Sequence, residues 1–127
     1  MKKKKLAIAG VGLFAILSTG VFAVTRDLSY MREVELRGIN LTSIDNGSYT
    51  GTFEHGRFTN TLTVQVENNR IIEISIDHDV WAARVTNISD EVFDRTIEAQ
   101  DTEIDTVAGA TATTTAYLKA IEDALSK

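Results

Sequence analysis

The chain contains no cysteine among its 127 residues. That absence removes disulfides, thiolate metal sites, iron–sulfur clusters and the usual covalent haem attachment. Only two histidines are present, His55 and His78, and neither has a partner at helical i,i+3 or i,i+4 spacing. Any redox chemistry would therefore have to come from an acquired organic cofactor. Basic residues are scarce where a folded domain would lie. Four of the 13 stand together at Lys2 to Lys5, leaving nine against all 18 acidic residues, a balance of −9 from Arg26 onward. A domain of that charge repels phosphate backbones, so nucleic acid is excluded as a partner. No nucleophile–base pair or paired carboxylates stand out. A nicotinamide fingerprint is also missing, because Gly10-x-Gly12 falls inside an apolar run and lacks the rest of the pattern.

That run is the first feature actually present. Leu6 to Val24 is 19 residues without a charge, directly after the four lysines. As a helix it would span roughly 28 Å, close to the hydrocarbon thickness of a bilayer. Lysines ahead of it favour a cytoplasmic N-terminus and an extracytoplasmic remainder. The expectation is a single-pass cell-membrane anchor over residues 1–26, with residues 6–24 in the lipid bilayer. Small residues at Val21 and Ala23 leave a second reading open, a signal peptide cleaved after Ala23 and a secreted product. Residues 27–45 read as a connector in which Leu28, Met31, Val34 and Glu35 follow helical spacing and Gly38 is a plausible stop. The folded domain is expected over 46–127.

Asp45-Asn46-Gly47 is a turn signal, and Ser48 to Phe53 alternates as a short strand. His55-Gly56 reads as another turn. Leu62, Val64 and Val66, then Ile72, Ile74 and Ile76, alternate with polar residues on either side of Asn68-Asn69. A three-residue loop, Asn68 to Arg70, pairs Val66 with Ile72, Val64 with Ile74 and Leu62 with Ile76, and places all six on one face. That predicts a central hairpin with an odd-numbered loop and a positive-φ residue in it. Asp79 to Ile88 suits either a helix or a packed loop. Ser89-Asp90 reads as an N-cap, followed by an amphipathic helix with Val92, Phe93, Thr96, Ile97 and Gln100 on its inner face. Thr102 to Val107 reads as a short strand. Thr113 to Ser126 is the clearest helix, with Tyr117, Leu118, Ile121, Ala124 and Leu125 inward and Lys119, Glu122, Asp123 and Ser126 on the wet face. The expected fold class is α+β: a small antiparallel sheet with a central hairpin packed against two C-terminal helices, preceded by one N-terminal transmembrane helix.

Chemistry concentrates just before that last helix, in Asp105-Thr106-Val107-Ala108-Gly109-Ala110-Thr111-Ala112-Thr113. Gly109 permits a sharp turn and close approach of a ligand. Ala110 and Ala112 add little bulk. Thr111, Thr113, Thr114 and Thr115 set hydroxyls beside the spare N–H groups of a helix N-terminus, where an anion such as a phosphate ester is favoured. The same residues also suit ordinary helix capping, and alone they leave both readings open.

The segment resembles the flavinylation motif of the FMN-binding domain family, Asp-x-x-Ser/Thr-Gly-Ala-Thr followed two residues later by Thr or Ser. The family includes the flavoprotein subunits of sodium-translocating NADH:quinone reductase and of the Rnf complex. Asn46-Gly47-Ser48-Tyr49-Thr50-Gly51, the alternating hairpin, Ile97-Glu98-Ala99-Gln100 and Ala120 to Leu125 are similar too, so the resemblance covers about 80 residues. It implies FMN as cofactor, transferred from FAD by a flavin transferase onto the Thr111 hydroxyl as a phosphoester. It also implies that Asp105 is the acidic position read by the transferase, and that Gly109 and Ala110 match directly. Ala108 departs from the usual Ser or Thr, which raises the standing of noncovalent FMN binding. Ala112, Thr113, Tyr117 and Trp81 complete the expected cofactor site, with Tyr49 and Phe58 as further aromatic candidates. The function so implied is extracytoplasmic electron transfer with membrane or extracytoplasmic redox partners, by an electron-carrying flavoprotein rather than an independent enzyme. The alternatives are an anchored interaction or scaffold domain without flavin, or a noncovalent FMN-binding reductase.

Overall fold

A computed structural model describes residues 28–80, 82–107 and 110–126, without the side chains of 82–86. The expected anchor, Trp81, Ala108 and Gly109 lie outside the described residues. Among those described, no helix is long and apolar enough to cross a membrane. The chain divides into a unit ending at Glu33 and a unit from Val34 onward. In the first, 28–33 is helical, so this helix ends before Gly38.

Three strands form one antiparallel sheet in the order β1-β2-β3: β1 (Gly47–Phe53), β2 (Asn60–Glu67) and β3 (Arg70–Asp79). A 3₁₀ turn at Gly56–Phe58 joins the first two. Alternation in β2 buries Asn60, Leu62, Val64 and Val66 on one face, against which the helices pack. Helix α1 (Ala82–Ala99) lies on β3 and on helix α2 (Thr111–Leu125), which itself covers β1 and β2. The expected class holds: α+β, with an antiparallel sheet and C-terminal helices.

The core follows from the apolar periods. Leu62, Val64, Val66, Ile71, Val92, Leu118, Ile121 and Ala124 are at most 1 % exposed. Burying each of the larger ones contributes about 1.5–3 kcal/mol. Gly51 lets α2 come close to β1, since an added Cβ there would land on the Ala120 carbonyl oxygen and the Ala124 amide.

The hairpin departs from the expected register in an instructive way. Its loop has two residues, Asn68 and Asn69, both at positive φ (53° and 61°), as a type I′ turn requires. Tight closure pairs Val66 with Ile71, not Ile72, which would carry the rest of β3 onto the wrong face. A bulge beside Val66 absorbs one residue, and the expected pairs Val64–Ile74 and Leu62–Ile76 follow. Ile72 is 46 % exposed as a result, and Ile71 is buried. The Gln100 side chain then meets the Ile71 backbone as a strand would: Ile71 N–H donates to Oε1 (2.7 Å) and Nε2 donates to Ile71 O (3.0 Å).

Four further expectations change. The first of these helices starts at Ala82 and runs through Ser89-Asp90, so these residues are not its cap; Ser89 is buried inside it. Tertiary packing outweighs local cap preference there. Thr102–Val107 is not a strand; Gln100 already occupies the backbone of β3 at Ile71. The last helix begins at Thr111 rather than Thr113. Finally, Glu122 is buried rather than wet. Its Oε1 accepts from Arg37 N–H (2.8 Å), Gly38 N–H (3.0 Å) and Thr102 Oγ1 (2.9 Å), while Lys119 Nζ approaches Oε2 at 3.2 Å. The connector thus meets α2 at this carboxylate and at Lys119, whose Nζ also donates to Glu35 O (3.2 Å), while Leu36, Ile39, Leu41 and Ile44 pack against the core.

Candidate cofactor site at the start of the last helix

Thr111 is the first residue of α2 and is exposed. The N-cap position is Ala110, at φ −134° and ψ 38°, which has no side chain able to cap, and no side-chain cap hydrogen bond is made. The N–H groups of Thr111, Ala112 and Thr113 have no carbonyl one turn earlier within the helix. They point out of an uncapped helix end that carries the positive end of its dipole.

The four hydroxyls divide into two pairs. Thr114 Oγ1 donates to Ala110 O (2.7 Å) and Thr115 Oγ1 to Thr111 O (2.9 Å), so both are engaged with the first turn. Thr111 is exposed and Thr113 half-buried, and both stay at the mouth of the helix beside half-buried Ala112. Ala110 is buried, its N–H donating to Val107 O (3.0 Å).

The approach to the helix is held by a residue that the sequence does not advertise. Arg95 Nη1 donates to Asp105 O (3.1 Å) and Thr106 O (3.2 Å), and its other nitrogen meets Glu91 one turn back on α1. Asp105 itself is exposed. An open cleft of about 780 Å³ flanks this loop, lined by Arg95, Glu98, Ala99, Glu103, Ile104 and Asp105. Three carboxylates against one guanidinium make that cleft unfavourable for a phosphate. The uncapped helix end is the favourable side.

The aromatic candidates are distributed differently from expectation. Tyr117 is 2 % exposed and belongs to the core, with its ring edge-on to Phe93 at 5.6 Å and its hydroxyl donating to Asp79. Burial first, and Asp79 second, hold this phenol protonated well above its ordinary range. Tyr49 lies beside Leu125 and Ser126, about 20 Å along the helix from Thr111, and its hydroxyl is spent on Asp45 O (2.7 Å). Phe58 is buried with the Arg57 guanidinium 4.7 Å above its ring. Next to it stands Asn60, fully buried, whose Nδ2 donates to Phe58 O (3.1 Å) and Ala116 O (3.3 Å). Neither Asn60 nor Arg95 was picked out from the sequence; a polar residue two positions before Leu62, in phase with the inward face of β2, is the signal that could have found Asn60, and Arg95 carried none.

The FMN-binding domain family matches residues 55–126, from the turn before β2 to the end of α2. The chain belongs to the FMN-binding domain family. Its cofactor is FMN. No curated protein matches the chain closely enough to add a named relative. The residues present fit that cofactor: an FMN-binding domain needs a place for a phosphate and a nearby acceptor or donor for the rest of the molecule. The start of α2, which has no side-chain cap, suits the first. Asn60 Oδ1 is an enclosed acceptor reached by no donor among the described residues.

Proposed function

We propose that this domain carries FMN at the start of α2, with the cofactor's phosphate esterified to Thr111, and that it relays electrons on the outer side of the cytoplasmic membrane. The observation that carries this reading is the exposed Thr111 hydroxyl at a helix end with no side-chain cap. The first-turn N–H groups hold the phosphate oxygens, and Thr113 adds a hydroxyl beside them. In the sequence Gly109 and Ala110 add little bulk before Thr111, and Arg95 fixes the backbone of Asp105 and Thr106 ahead of it. Asp105 stays exposed for recognition by the flavin transferase. In the loading step the Thr111 oxygen bonds to the FMN phosphorus of FAD, the pyrophosphate bond breaks, AMP leaves, and the threonine proton goes to solvent.

Bound FMN supplies one- and two-electron transfer; the protein sets its position and exposure. The apolar run Leu6 to Val24 after four lysines supports anchoring with the domain outside the cytoplasm, where redox proteins of the membrane are the partners. Ala108, in place of the family's usual Ser or Thr, favours noncovalent FMN as the second reading.

Coexpression with a flavin transferase and FAD tests the proposal. Wild-type protein should gain the mass of FMN less one water, and Thr111→Ala should gain nothing. Flavin absorbance that survives Thr111→Ala, without a mass gain in the wild type, would establish the noncovalent reading instead.

A further inference from the structure

Asn60 opens β2 at the sheet end nearest the first half of α2. Its amide orientation is fixed, because Nδ2 donates to two carbonyls, Phe58 O and Ala116 O. Turning the group would set oxygen against oxygen. That leaves Oδ1 enclosed and, among the described residues, without a donor. A buried acceptor in this state asks for an explanation, because nearly all such groups in folded proteins are paired. The neighbouring polar side chains do not provide one. Asn60 sits opposite Asp79 in the sheet, and Asp79 takes the hydroxyl of Tyr117. Ala116 is five residues beyond Thr111, about 7.5 Å along the helix axis. A ribityl chain leaving a phosphate at Thr111 covers that interval.

We propose that Asn60 is a flavin-binding residue, its Oδ1 accepting a hydrogen bond donated by FMN itself, from the imide N–H of the ring or from a ribityl hydroxyl. This rests on the reading of Thr111 as the phosphate end of the site. The domain then grips its cofactor at two points, the phosphate at the helix start and a donor at the sheet end. A missing donor on the ligand, rather than a lost charge, becomes what the protein rejects, and a buried unpaired acceptor discriminates strongly in this way.

The test titrates the full chain, without transferase, with FMN, N3-methyl FMN and a 2′-deoxyribityl FMN, following flavin fluorescence. Wild type should bind one of the two analogues about tenfold more weakly than FMN, the N3-methyl compound if the ring edge is the donor and the deoxy compound if the chain is. Asn60→Leu should bind FMN about tenfold more weakly and lose the discrimination. Asn60→Ser, smaller and still polar, serves if the leucine variant does not fold. Wild-type protein that binds all three equally would overturn the proposal, as would a variant that still discriminates; a trapped water on Oδ1 gives the first of these results. Failure of the Thr111 reading shows elsewhere, as wild-type protein left unmodified by flavin transferase.

Discussion

At the scale of single residues, the fold depends on side chains whose partners lie far away in sequence. Glu122 illustrates why a helical wheel misplaces them. The wheel sets it beside Lys119 and Asp123 on the polar side of α2. The connector then arrives from about 85 positions earlier and converts that side into an interior. Removing this carboxylate leaves the N–H groups of Arg37 and Gly38 and the hydroxyl of Thr102 without their acceptor. Glu122→Ala should therefore destabilise the domain by about 1–3 kcal/mol, read by urea denaturation, with amide exchange rising at 37–38. Unchanged protection there would show that the connector is held by something else. Thr111 behaves oppositely. It is exposed and its hydroxyl supports no fold contact among the described residues, so Thr111→Ala should leave the midpoint within about 0.5 kcal/mol of wild type while removing flavin attachment. Thr111 stood out in the sequence through the resemblance of its segment to a family motif; the residues alone left helix capping and phosphate binding both open. The contacts of Arg95 and Asn60 were not legible, since they exist only once α1 meets the loop and β2 meets α2.

Among elements, the β2–β3 hairpin shows how two local rules reconcile. The alternation pattern asked for an odd loop, while Asn-Asn asked for a tight one. The chain takes the tight turn and restores the face with a bulge, and pairing beyond it is as the alternation required. Gln100 stabilises that irregularity by satisfying both backbone groups of Ile71, from a position at φ 55°. Gln100→Ala should cost about 1–3 kcal/mol and raise amide exchange at Ile71; equal protection in the variant would mean that the bulge stands unaided. The starts of both helices were misjudged for a related reason. Ser89-Asp90 is a good cap signal inside a helix that packing extends back to Ala82. Ala110, with no capping group, begins the helix that matters most. A helix that starts without a capping side chain is poorly visible to cap rules. Gly51 belongs to this scale too. Gly51→Ala should push α2 off β1, a loss of about 1–3 kcal/mol or more visible in thermal denaturation.

For the molecule as a whole, class and order of elements were legible because periods of two and 3.6 occur in separate stretches of chain. The sheet presents its apolar face to two helices, and the flavin motif falls at the start of the second. One whole-molecule property follows from Tyr117. Its phenol is held protonated in the folded state, chiefly by burial. The stability this contributes is fully present below the ordinary tyrosine value, about pH 10, and is lost as pH rises beyond it. Stability should fall more steeply above pH 10 in wild type than in Tyr117→Phe, measured by urea midpoints across that range. Parallel curves would show that Tyr117 does not couple to alkaline unfolding. In the proposed reading the apolar run Leu6 to Val24 tethers the domain at a bilayer and fixes the side on which FMN meets redox partners.

Peptide mass mapping of the protein purified from its native membrane tests the central claim most directly. The account predicts that the peptide spanning Thr111 carries FMN less one water, with fragmentation placing the addition on the Thr111 oxygen. That peptide recovered wholly unmodified, or flavin placed on another residue, would contradict it.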